Sequence, residues 1–184
     1  MTGLQELNTF NNSGYKPGSI FKRGTWYLIN NIFFRPHILP FYGLKRFLLR
    51  TFGAKLGKKV LIKPGVNIKY PWFLEIGDYS WIGENVWIDN LASVVIGKNV
   101  CISQGAFLLT GNHDYSKTGF DLITKGIILE DGVWIGAKSV VCPGVTCYSH
   151  SILAVGSIAQ TDLEAYGIYQ GNPAEKKRER IINK

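Results

Sequence analysis

Residues 76–108 read IGDYSWIGENVWIDNLASVVIGKNVCISQGAFL, and an aliphatic residue returns in them at six-residue steps. Ile76, Ile82 and Ile88 make one run, and Ile96, Ile102 and Leu108 the next. The same register precedes them as Leu56, Ile62 and Ile68, and follows as Leu129, Ile135, Val141, Cys147, Leu153 and Ala159. Four residues after most of these comes a small residue, such as Val60, Ser80, Val86, Val100, Ser139 or Ser157. Neither the helical period of about 3.6 nor the strand period of about 2 divides this pattern, so a long amphipathic helix and an open sheet both fail. A short strand and a turn fit it, with the large residue inward and the small one near a corner. Three such sides close a triangular coil of about eighteen residues, and stacked coils pair their strands in parallel. Two extra residues between Ile68 and Ile76, and again between Ile88 and Ile96, predict bulges at one corner of successive coils.

Working outward, the 184 residues suffice for one domain plus an arm. A composition 46% hydrophobic and 18% charged excludes a disordered tail. The 21 glycines have no collagen period, and several (Gly57, Gly77, Gly83, Gly97, Gly136) directly follow the repeating aliphatic residue. The net charge of +8 is uneven. Residues 1–74 carry twelve bases and one acid, Glu6, a net +11, whereas residues 75–184 carry nine bases and twelve acids, a net −3. Nucleic acid is therefore not an expected partner, since the repeat half is acidic and has no reader module. Cys101, Cys142 and Cys147 form no metal or CxxC spacing and read as small hydrophobes of a reduced, cytoplasmic chain. The uncharged stretch Ser139–Thr161 is long enough to span a bilayer, but its Pro143, Gly144, His150 and Gln160 and its six-residue period argue against that.

The period fails between Leu108 and Leu129, over LTGNHDYSKTGFDLITKGII at 109–128. An inserted loop of about twenty residues in a compact solenoid is more often functional than not. It holds His113, flanked by Asn112 and Asp114. Imidazole is suited to taking a hydroxyl proton near neutral pH, so His113 is the candidate general base. No GxSxG elbow is present to support an acyl-serine route. His37 sits between Pro36 and Pro40, and His150 falls in a turn, so both read as structural.

The runs WIDNLASVVIGKNVCISQGAFLLTGNHDYS, LEDGVWIGAKSVVCPGV and GNPA resemble the colanic-acid type of exopolysaccharide O-acetyltransferase, a branch of the hexapeptide-repeat acyltransferases. The resemblance covers roughly residues 56–174. It implies an all-β fold, a left-handed parallel β-helix, assembled as a homotrimer and using acetyl-CoA without a metal. It also implies that His113 is the base, that Asp89 or Asn90 meets the acceptor, and that Asn112, Asp114 and Tyr115 lie within reach of sugar hydroxyls. Trp134, Gly136, Ala137, Val155 and Gly156 match the family's coenzyme A path between neighbouring subunits. In the charged tail 175–184, Lys176, Lys177 and Arg178 are expected either to meet the phosphates of CoA or to form the charged face of a short C-terminal helix.

Residues 1–55 stand outside the repeat as a basic, apolar arm. Its apolar runs, broken at Pro36 and Pro40, predict two short helices. They would cap the open end of the prism, as solenoids require. The interleaved bases, Arg46 and Arg50 among them, also suit peripheral contact with an anionic inner-membrane face, where a lipid-linked oligosaccharide acceptor would lie. The expected activity is acetyl transfer to a sugar hydroxyl. The rivals are a zinc hydratase on the same prism, for which three histidine ligands lack the spacing, and a scaffold without catalysis.

Overall fold

The computed structural model describes residues 4–38 and 41–183. The repeat folds into a three-faced parallel β-helix. The first face stacks Lys55–Leu56, Leu74–Ile76, Val94–Ile96, Ile127–Leu129 and Thr146–Cys147. The second stacks Leu61–Ile62, Trp81–Ile82, Cys101–Ile102, Trp134–Ile135, Ile152–Leu153 and Gly167–Gly171. The third stacks Asn67–Ile68, Trp87–Asp89, Phe107–Leu109, Val140–Val141 and Ile158–Ala159. From Ile62 to Ala159 the period-six aliphatic positions are all buried, and in each face they stand in register above one another. Each large aliphatic side chain so placed contributes about 1.5–3 kcal/mol of burial.

The corners share one geometry. Three residues beyond the inward aliphatic the backbone takes positive φ, at Gly65, Gly105, Gly132, Gly144 and Gly156, but also at Lys59, Tyr79, Asn85, Asn99, Lys138 and His150. A non-glycine residue held there costs free energy, which the stack must offset. Glycine just after the aliphatic has another cause, close approach. A Cβ on Gly77 would lie 2.6 Å from the Gly97 carbonyl carbon, and one on Gly136 2.5 Å from the Val155 nitrogen.

The arm contains α1 (Ile20–Ile29), capped by Ser19 and continued by a π-helical turn Asn30–Phe34, and α2 (Tyr42–Thr51). The first helical stretch ends at Phe34, just before Pro36, although Arg35 still holds right-handed helical angles, φ −71° and ψ −36°. The break expected at Pro40 lies outside the described residues. Both helices close the open end of the first coil. Trp26 packs against Phe34 and Phe52 and donates its indole N–H to the Ile68 carbonyl at 2.7 Å. Arg46 and Arg50, which the sequence offered as membrane contacts, instead donate to the Val60, Leu56 and Gly57 carbonyls of the free coil edge.

The expected C-terminal helix is replaced by a strand. Ala174–Glu179 folds back antiparallel on Gly167–Gly171 and closes the far edge of the second face. The free ladder there and the Asn172–Pro173 turn outweigh the helical charge spacing of AEKKRER. No helix among the described residues is long and apolar enough to cross a membrane.

Lys45 is buried in the cap, where it donates to the Lys63 carbonyl at 3.0 Å, and burial lowers its pKa. Between that lowered value and 10.5 the unfolded chain holds a proton that the folded chain has released. Unfolding free energy should therefore rise with pH in this window. Urea midpoints taken from neutral pH upward should show wild type gaining on Lys45→Met; a constant gap would contradict the buried charge.

Candidate active site

All the irregularities of the repeat fall on one edge of the prism, where the third face turns into the first. The short helical turn Pro71–Phe73 occupies it in the first coil, Asn90–Ser93 in the second, and the long insertion, from Thr110 to Gly126, in the third. The insertion is a β-hairpin and not an open loop. Gly111–His113 pairs antiparallel with Leu122–Thr124, His113 facing Leu122. Its base is tied to the edge by Thr110, whose hydroxyl donates to the Asp89 carbonyl and accepts the Ala92 N–H.

His113 lies half-buried at the end of that first strand. Its Nδ1 is 2.8 Å from the Phe120 carbonyl oxygen. A carbonyl only accepts, so Nδ1 carries a proton, and in the neutral imidazole Nε2 presents the lone pair. Phe120 also stacks its ring on the imidazole, 4.3 Å between centroids at 6°. Its backbone is in the left-handed region, φ 53°, a costly conformation for an aromatic residue. The turn is held by Asp114, which accepts from the hydroxyl and N–H of Ser116 and pairs with Lys117. The Ser116 hydroxyl, and secondarily its N–H and Lys117, lower the Asp114 pKa. Asn112 accepts the His113 N–H, and Tyr115 projects fully into solvent.

The N-terminal segment crosses this hairpin, which sequence alone did not reveal. Glu6 donates to the Thr118 carbonyl, and Phe10 brings its ring within 5.9 Å of the imidazole. Tyr15 donates to the Leu91 carbonyl at 2.8 Å, and burial, with Tyr70 and Asp89 nearby, raises its pKa. Beside it a cavity of about 370 Å³ shares Arg23, Lys69 and Tyr70 with a larger one of about 500 Å³ between α1 and the third face. Asp89 lines the larger one. Lys69 Nζ lies 2.9 Å from its Oδ1 but off the hydrogen-bonding direction, so that buried oxygen has no aligned donor. Arg23 Nε is likewise buried without an acceptor. Asn90 departs from expectation. Its amide clamps both backbone groups of Tyr70, and it is fully buried, which keeps it from contact with an acceptor. Arg23, Tyr15 and Phe10 lie in the arm and so carried no repeat signal.

The residues matched to coenzyme A gather on a different edge, between the second and third faces. Gly136 and Ala137 turn that corner in one coil and Val155 and Gly156 in the next, joined by the Gly156 N–H donating to Ala137. Gly156 has φ 65° and open space where a Cβ would stand. Trp134 is exposed on the second face just before this corner and donates to the Ser103 hydroxyl. Lys176 is held by Glu164 and Glu179, which raise its pKa, and Lys177 by Glu175. Of the three tail bases expected to meet phosphate, Arg178 alone has no ion pair among the described residues. His37, His113 and His150 lie on the arm, the hairpin and a corner of the fifth coil. Among the described residues no three His, Cys, Asp or Glu side chains gather as a metal site.

No protein-family model matches the chain. Among individual proteins, Escherichia coli WcaF, named as a colanic acid biosynthesis acetyltransferase, is 36% identical over 181 residues, covering 97% of this chain and 98% of its own. The chain belongs to the hexapeptide-repeat acetyltransferases. The galactoside O-acetyltransferase of E. coli is 30% identical over 72% of this chain and 66% of its own. A hexapeptide-repeat acetyltransferase of Vibrio cholerae, solved with acetyl-coenzyme A, superposes with a TM-score of 0.74 at 26% identity, covering 86% of this chain and 85% of its own.

Within this family Asp114 can be tested as an organiser of the hairpin turn against its expected role as a sugar contact. Asp114→Ala should lower kcat about tenfold by loosening the turn that positions His113, with the acceptor KM unchanged. A rise in acceptor KM at constant kcat would return Asp114 to the substrate.

Proposed function

We propose that this acetyltransferase moves acetyl from acetyl-CoA to a hydroxyl of a sugar, or of a lipid-linked oligosaccharide, with His113 as the general base. The observation that carries this reading is the Nδ1 contact to the Phe120 carbonyl, which in the neutral imidazole places the lone pair on Nε2. Nε2 takes the acceptor proton as the hydroxyl oxygen attacks the thioester carbonyl. The C–S bond then breaks, and the departing CoA sulfur takes the proton from the imidazolium. Oxygen is acetylated, CoA is released as the thiol, and no acyl-enzyme forms.

The acceptor is best seated in the paired cavities on the histidine's own edge. Tyr27, Tyr70 and Trp87 offer ring faces there, and Asn31, Arg23, Lys69 and Asp89 offer polar groups. Acetyl-CoA is assigned to the small-residue corner, with Arg178 the most available phosphate contact. That corner and the hairpin lie on different edges of one prism. A cyclic homotrimer resolves this, because each hairpin then meets the neighbour's corner. The outward apolar row Trp81, Cys101, Trp134, Ile152 and Ile168 on the second face supports such packing.

Thiol release from acetyl-CoA in the presence of candidate glycans tests the reading. His113→Ala should lower the rate by about 10²–10⁴ while CoA still raises the thermal midpoint. Near-normal turnover by that variant would remove His113 from the chemistry.

A further inference from the structure

The end of the prism that α1 and α2 close has an outward surface unlike the rest of the molecule. α1 and its π-helical continuation turn Trp26, Asn30 and Phe34 toward the first coil. Half a turn around the helix stand Phe21, Leu28 and Ile32, exposed by 84, 60 and 54%. α2 turns Lys45 and Leu49 inward and leaves Leu44 and Phe47 outside, with Phe41 exposed at its start. Single exposed apolar residues need no explanation, but six on the two helices of one end do.

The charge around them narrows the occupant. Residues 19–52 carry six bases and no acid; Lys45 is turned inward, whereas Lys22, Arg35 and Arg50 are exposed and Arg23 and Arg46 partly so. Neither helix can span a bilayer, yet an apolar stripe with a basic rim suits the boundary between headgroups and acyl chains. An anionic surface is the complement of such a rim, and a second copy of the same basic end is not.

We propose that this end of the prism docks on an anionic lipid bilayer, with Phe21, Leu28, Ile32 and Phe47 inserted at the headgroup boundary. The coil axis then stands away from the membrane. The hairpin leaves the third coil, about 10 Å above the first at the usual strand spacing. A cyclic assembly about an axis parallel to the prism would set three such ends in one plane and multiply a weak affinity. This docking stands independently of the chemistry assigned to His113, and its test reads no acetyl transfer.

The full chain would be sedimented with vesicles of phosphatidylcholine alone and with vesicles containing about a quarter phosphatidylglycerol. It should pellet with the anionic vesicles, more weakly with the neutral ones, and less in about 0.5 M salt. Phe21→Ser/Phe47→Ser should lower the partition coefficient at least about tenfold with the thermal midpoint retained. Leu28→Asn, made separately, should act in the same direction and guards against a folding defect of the pair. Failure of wild type to bind anionic vesicles would overturn the proposal, as would unaltered binding by both variants. So would a wild-type assembly in sedimentation velocity that the double variant reduces, because a second copy would then cover the face.

Discussion

Parallel stacking of one coil on the next is the constraint from which the rest of the molecule follows. A side must be six residues long for Ile62, Ile82, Ile102, Ile135 and Leu153 to stand above one another on a face. Once that spacing is met, each strand's backbone bonds are satisfied by the coils above and below, and the interior fills with a continuous aliphatic column. The same stacking forces positive φ on residues as ill suited to it as Tyr79 and Lys138, and leaves no room for a side chain at Gly77 or Gly136. It also leaves two exposed ladders. One is covered by α2, through Lys45, Arg46 and Arg50, and the other by the final hairpin.

A scaffold this regular admits extra residues only at its corners, and here they accumulate on one edge. The turn at Pro71–Phe73, the Asn90 clamp and the His113 hairpin form a vertical series. Each lower member shapes the floor beside the next. Tyr70 is clamped by Asn90 and lines both cavities, and Asp89 anchors Thr110 while its carboxylate faces α1. The hairpin therefore rests on the solenoid, and the N-terminal segment crosses it through Glu6, Phe10 and Tyr15.

The column was legible in the sequence because burial there depends on residue type at a fixed interval. His113 was legible as an imidazole in a break of that interval, and the helical cap as apolar runs stopped near Pro36. Backbone groups are invisible in a sequence. The proton position on His113 is set by the carbonyl of Phe120, whose positive φ no residue preference announces. Asn90 looked like an open amide, yet it is fully buried, with one N–H and its carbonyl oxygen bonded to Tyr70. The tail's charges read as a helix, whereas an unpaired strand at Gly167–Gly171 decided its conformation. The contacts of Phe10, Tyr15 and Arg23 join positions far apart in the chain, and only the folded edge brings them together.

The central claim is that one subunit supplies the base and its neighbour the coenzyme corner, since a single prism holds them on separate edges. The direct measurement is thiol release after co-refolding two inactive variants, His113→Ala and Ala137→Trp, in equal amounts. In random trimers about one site in four combines an intact histidine with an intact neighbouring corner. The mixture should therefore recover about a quarter of wild-type activity, although each parent alone is inactive. A mixture as inactive as its parents would place base and coenzyme within one chain and contradict the account.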